Sequence, residues 1–76
     1  MKLYAGGYLT FYMPGQQAEI EITLAEPVDL AEFLGGLGMP APEVQLVVIN
    51  GQIAELHTAC IRNRDVVKIF PGIDGG

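Results

Sequence analysis

The residues of this chain best placed to do chemistry are its last two, Gly75 and Gly76, which close the segment Pro71-Gly72-Ile73-Asp74-Gly75-Gly76 with a carboxylate. Glycines lack Cβ atoms, so such an end can thread a narrow channel and take backbone angles closed to other residues. A carboxylate is a poor electrophile until one oxygen becomes a good leaving group. The sequence has no phosphate-binding loop to hold a nucleotide, so any activation of that carboxylate would have to come from outside. A second candidate group, His57 with Cys60 and Glu55, offers one histidine and one cysteine. That falls short of the four ligands of a structural zinc site, and a ferredoxin-type iron-sulfur cluster would need four cysteines. No metal is expected. Cys60 reads as a small core or edge residue, with a role in sulfur exchange as the rarer alternative.

These residues need a scaffold, and composition bounds it. Seventy-six residues, half of them hydrophobic, make one small domain with an apolar core and leave no room for an interdomain cleft. Four basic residues against nine acidic ones give a net charge of −5. That charge repels phosphate backbones and anionic membrane surfaces, so neither nucleic acid nor membrane is an expected partner. The lone cysteine removes the disulfide-stapled secreted class and points to a reducing, cytoplasmic setting. The longest aliphatic run, Leu46 to Ile49, is far short of the roughly 20 residues of a membrane helix. Lys2 followed by apolar Leu3 to Met13 has the outline of a leader peptide, but Gly6-Gly7 and the aromatic-aliphatic alternation suit a strand better.

Along the chain, Leu3 and Ala5 open a strand that alternation extends through Leu9, Phe11 and Met13. Pro14-Gly15 signals a turn, and Ile20, Ile22 and Leu24 alternate with Glu19, Glu21 and Thr23 in a second strand, which completes an N-terminal hairpin. Leu30, Phe33, Leu34 and Leu37 then fall at helical spacing, the chain's single helix. Asp29 is the predicted N-cap, Glu32 completes a capping box, and Val28 is placed to staple onto Phe33. Gly38, Pro40 and Pro42 end that helix. Val44 to Ile49 reads as a strand covered on both faces and central in the sheet. Asn50-Gly51 predicts a tight hairpin turn with positive φ at both positions, followed by a brief return strand at Ile53 and Ala54. A polar connection leads to a last strand, Val66 to Phe70, with Val67 and Ile69 on one face and Lys68 on the other. The resulting fold class is α+β: a mixed sheet of four to five strands with one helix packed across it, an order that fits the β-grasp, or ubiquitin-like, fold. Residues 1–70 form the domain, and residues 71–76 a flexible tail.

Three stretches carry a family resemblance over the whole length of the chain. They are Val47-Val48-Ile49-Asn50-Gly51, the segment Ile61-Arg62-Asn63-Arg64-Asp65-Val66-Val67, and the ending Ile69-Phe70-Pro71-Gly72-Ile73-Asp74-Gly75-Gly76. Together they resemble the MoaD/ThiS family of sulfur carrier proteins. Arg64 stands where the family usually has glycine before the aspartate, and Pro71-Gly72-Ile73-Asp74 replaces its common Pro-Pro-Val-Ala.

The resemblance implies a monomeric carrier that catalyses nothing itself. A partner activating enzyme, using ATP and Mg, would adenylate Gly76, and a sulfur donor would convert the adenylate to a thiocarboxylate. A synthase subunit would then accept the tail, with Gly75, Asp74, Ile73, Gly72 and Pro71 serving access. Molybdopterin or tungstopterin synthesis is the favoured pathway, and thiamine thiazole synthesis is second. A ubiquitin-like modifier joined to lysine and a plain β-grasp binding module are the alternative readings. Phe70 reads as either buried core or an apolar docking patch for partner enzymes. Lys68, Arg62 and Arg64 read as a solvated face or as steering charges for an acidic partner surface. Tyr4, Tyr8, Phe11, Tyr12 and Phe33 read as core or strand-face residues with no ligand.

Overall fold

A computed structural model describes residues 1–72. Five strands form one mixed sheet: β1 (Lys2–Ala5), β2 (Glu19–Glu21), β4 (Leu46–Ile49), β5 (Gln52–Ala54) and β7 (Val66–Phe70), in the order β2-β1-β7-β4-β5. Two short strands, β3 (Val28–Asp29) and β6 (Cys60–Ile61), pair apart from it. β1 runs parallel to β7, and every other neighbouring pair in the large sheet is antiparallel. One helix, α1 (Leu30–Gly36), lies between the two halves of the sheet in sequence, as the β-grasp reading requires.

Side chains alternate across each strand, and the register stacks one parity onto a single face. Leu3 pairs with Val67, and Ala5 and Val47 both pair with Ile69, so these five form the sheet's inner layer. All five are buried and join Leu30 and Leu34 of α1 in one core. Burying that helix face, rather than propensity, holds a seven-residue helix that carries Gly35-Gly36.

The helix ends differ from each other in what closes them. Asp29 makes no side-chain cap, so the predicted capping box is absent. Asp29 is paired with Cys60 in the small sheet, and the first helical N–H, from Leu30, donates to the Ala59 carbonyl at 3.0 Å. The neighbouring strand therefore satisfies a donor that a cap would otherwise serve. At the other end Gly38 takes φ 83°. Its N–H donates to the Gly35 carbonyl, and the Met39 N–H donates to the Leu34 carbonyl, both at 3.0 Å. This is the double bond pattern of a Schellman stop, with Leu34 and Met39 both buried.

Two expectations for strands are corrected. β1 stops at Ala5, and Gly7–Tyr12 forms a 3-10 helix where alternation predicted more strand. Gly7 at φ 53° turns the chain out of the sheet, and the same residues then bury Leu9 and Met13 while leaving Phe11 67% exposed. Leu9 and Met13 are four apart, so a helical turn serves them as well as a strand would. The N-terminal hairpin does form between β1 and β2, through a long connection over residues 6–18. The second correction concerns β4, which is shorter than Val44 to Ile49 and is not covered on both faces: only Val47 of its four residues is buried. The central strand is β7, with two strands on either side. The Asn50-Gly51 turn is as predicted, at φ 52° and 84°.

Candidate functional site

The tail leaves the domain from the end of its central strand. β7 is pinned there on both sides, because the Gly6 N–H donates to the Ile69 carbonyl at 2.8 Å and the Gln45 N–H donates to the Phe70 carbonyl at 2.9 Å. Phe70 is half-buried and points to the outer face of the sheet, its ring 6.1 Å from that of Tyr4 and inclined at 56°. A Cβ on Gly6 would stand 2.6 Å from Phe70 Cδ1, and one on Gly7 would stand 2.9 Å from Pro71 Cγ. The Gly6-Gly7 corner is therefore shaped around the root of the tail. Pro71 and Gly72 are half-buried beyond it. Ile73, Asp74, Gly75 and Gly76 lie outside the described residues.

Beside this exit lies the outer face of the sheet, where register gathers the residues of opposite parity to the core. Tyr4 pairs with Lys68, Lys68 with Val48, Val48 with Ile53, and Leu46 with Phe70. Tyr4, Leu46, Val66 and Ile53 are exposed large hydrophobic residues, Ile53 at 79%. A hollow of about 510 Å³ lies among Lys2, Tyr4, Glu19, Val66, Lys68 and Phe70. The face is thus an apolar field holding the positive charges of Lys2 and Lys68, bordered by Glu19 and Glu21 on β2. Lys2 Nζ stands 3.9 Å from Glu19 Oε2, an exposed pair whose contribution to stability is at most about 1 kcal/mol.

Phe70 is half-buried and outside the core cluster, in an apolar patch of the outer face. Lys68 joins that patch. Arg62 and Arg64 are also exposed but sit before β7, at the end of the strand away from the tail.

That far end is organised by Asp65. Its carboxylate accepts from Asn50 Nδ2 at 3.0 Å and from the Arg62 N–H at 2.8 Å. The Asn50 side-chain oxygen in turn accepts from the Val66 N–H at 2.9 Å. The hydrogen bond from Asn50 is the main cause that holds the Asp65 carboxyl below its ordinary value. The Asp65 N–H closes the turn onto the Arg62 carbonyl at 3.1 Å. Arg64 keeps a negative φ, so the turn needs no glycine there.

Cys60 is exposed on β6, which agrees with its reading as an edge residue, and His57 is exposed on the connection before it. Among the described residues no group of three or more His, Cys, Asp or Glu side chains is placed to hold a metal ion. No helix among them is long and apolar enough to cross a membrane.

Sequence reasoning missed the Gly6-Gly7 corner and the outer-face residues Tyr4, Leu46, Val48, Ile53 and Val66. Alternation within each strand was the available signal for the second group. It does not say which face stays uncovered, and the close approach at Gly6 joins residues more than 60 positions apart. No protein-family model matches this chain, and no curated protein matches it.

Proposed function

We propose that this protein is a sulfur carrier whose reactive group is the carboxylate of Gly76. The observation that supports the reading is the course of β7. The central strand of a β-grasp sheet ends at Phe70-Pro71 beside an uncovered apolar face and continues in sequence as Gly72-Ile73-Asp74-Gly75-Gly76. A partner that docks on the outer face thereby receives the tail at the same encounter. In the first step a Gly76 carboxylate oxygen attacks the α-phosphorus of ATP, pyrophosphate leaves, and an acyl-adenylate forms. A donor carrying sulfur at the sulfide level then attacks the acyl carbon, AMP leaves, and the thiocarboxylate remains. The carrier supplies the carboxylate and its presentation, and the partner supplies nucleotide binding and catalysis. The thiocarboxylate serves as the nucleophile in a synthase, with molybdopterin or tungstopterin synthesis favoured over thiamine thiazole synthesis by the Phe70-Pro71 ending.

The outer face defines what such a partner presents: an apolar surface carrying acidic groups to meet Lys68 and Lys2. Intact and C-terminal peptide mass analysis of the chain from its native host, with thiol alkylation and a Gly76-deleted control, tests the proposal. The control is needed because exchange of oxygen for sulfur nearly matches one methionine oxidation, and Met1, Met13 and Met39 all oxidise to the same mass. An alkylatable sulfur on Gly76 is the expected result. Gly76 found in an isopeptide bond to lysine would instead make the chain a modifier. A carboxylate that stays free in the presence of host extract, ATP and sulfide would overturn both and leave a binding module.

A further inference from the structure

Gly6 and Gly7 do more than end β1. Gly6 is buried and uses its N–H on the Ile69 carbonyl, at the point where β7 becomes the tail root. Its missing side chain leaves the space that Phe70 occupies, with Cδ1 at 2.6 Å and Cε1 at 3.1 Å from where a Cβ would be. Gly7 holds φ 53°, which aims its Cα hydrogen position at the proline ring, and a Cβ there would meet Pro71 Cγ at 2.9 Å and Cδ at 3.4 Å. The closest approaches, 2.6 Å at Gly6 and 2.9 Å at Gly7, are shorter than real Cβ atoms come, so each glycine is matched to the side chain it faces. The corner itself is fixed: the Gly6 carbonyl starts the following 3-10 helix by accepting from the Leu9 N–H, and Thr10 Oγ1 donates to the Ala5 carbonyl at 3.2 Å.

We propose that Gly6-Gly7 is a positioning device, a seat that holds Phe70 and Pro71 and sets the point and heading from which the reactive end departs. Its role in the chemistry rests on the sulfur-carrier reading; the seat itself does not. With Pro71 held and the Gly72 N–H ordered beside it, residues 73–76 set the remaining reach. Four residues extend at most about 14 Å, so a docked partner must place its reacting centre within that distance of Gly72. A root left loose would share the same length over many directions, and fewer encounters would deliver Gly76 to one centre.

The test changes the seat and leaves the tail sequence intact. Backbone 15N relaxation of the full chain reads the Gly72 N–H, expected to be ordered in the wild type with an order parameter near 0.85 and to fall below about 0.6 in Gly7→Ala. Gly6→Ala displaces Phe70 and is expected to act in the same direction. Pro71→Ala introduces no clash and empties the seat should either glycine variant fail to fold. A mobile Gly72 in the wild type, or an unchanged one in every folded variant, overturns the seat. In parallel, each chain is incubated with clarified host extract, ATP and sodium sulfide, and the rate of thiocarboxylate formation on Gly76 is read by mass. A fall of about fivefold or more in the variants is the expected result. Equal rates with a loosened Gly72 would remove the positioning role and leave the carrier reading standing. No thiocarboxylate even on the wild type would sink the carrier reading while the relaxation result still decides the seat.

Discussion

The two faces of the same five strands are built to different ends. On the inner face Leu3, Val67 and Ile69 have no solvent exposure and pack beneath α1. On the outer face Tyr4, Leu46, Val66 and Ile53 are exposed, though each is only one residue from a core position or its neighbour. Both faces are rich in apolar side chains, and only one is needed for a core. The contrast separates what holds the domain together from what is left for another molecule to cover.

The sharpest way to break this contrast is to truncate one residue from each face. Leu3→Ala is expected to cost about 2–5 kcal/mol, since it leaves a cavity at a site with no exposure. For a domain of this size that lowers Tm by 10 °C or more. Ile53→Ser on the outer face should stay within about 0.5 kcal/mol of wild type by denaturant titration, yet, under the proposed carrier function, slow thiocarboxylate formation in host extract. Comparable stability losses from the two would show that the outer face is structural after all.

Asn50 joins the two halves of the sheet at the end away from the tail, and its removal should rank second. Asn50→Ala forfeits a side chain suited to φ 52° and its bonds to Asp65 and to the Val66 N–H, at about 1–3 kcal/mol. Asn50→Gly retains the backbone angle and should lose less, the gap between the two variants being the strain at φ 52° less the extra backbone entropy glycine loses on folding.

A smaller effect of opposite sign is expected on the helix that covers the inner face. A Cβ on Gly36 meets nothing within 4 Å, and Gly36→Ala should stabilise the domain by about 0.5–1 kcal/mol. Thiocarboxylate formation should be unaffected, because the change strengthens only the cover of the inner face.

The smallest effect is a pH dependence at Asp65. Its carboxyl is held below the ordinary value, so the folded state favours the ionised form and the associated stability is fully present above the unfolded pKa. That stability disappears as pH falls through the lowered folded value. The difference in Tm between wild type and Asp65→Asn is therefore expected to be constant above about pH 5 and to narrow on further acidification. A difference that widened below pH 4 would mean the carboxylate is not the favoured partner of Asn50.

Much of this architecture is legible in local pattern. The Asn50-Gly51 turn needs positive φ at two positions, and these are residue types that accept it. Leu30 and Leu34 mark one helical face, and Val67 and Ile69 one strand face, because side-chain period follows directly from backbone geometry. The failures share a physical cause as well. Alternation over Leu9 to Met13 suits a strand, but two residues four apart fit a helical turn equally, and Gly7 at φ 53° turns the chain out of the strand before them. Asp29 has the right type for a cap, yet the Ala59 carbonyl, thirty positions away, took the first helical N–H instead. The Asn50-Gly51 turn, the alternation of Val67 and Ile69 with Lys68, and the glycines after Phe70-Pro71 can be read locally, since each depends on neighbours within a few residues. The central place of β7, the exposure of one apolar face among the described residues, and the meeting of Gly6-Gly7 with Phe70 and Pro71 belong to the assembled fold. Those outcomes depend on which distant strands pair, and pairing is settled by burial of the whole core at once.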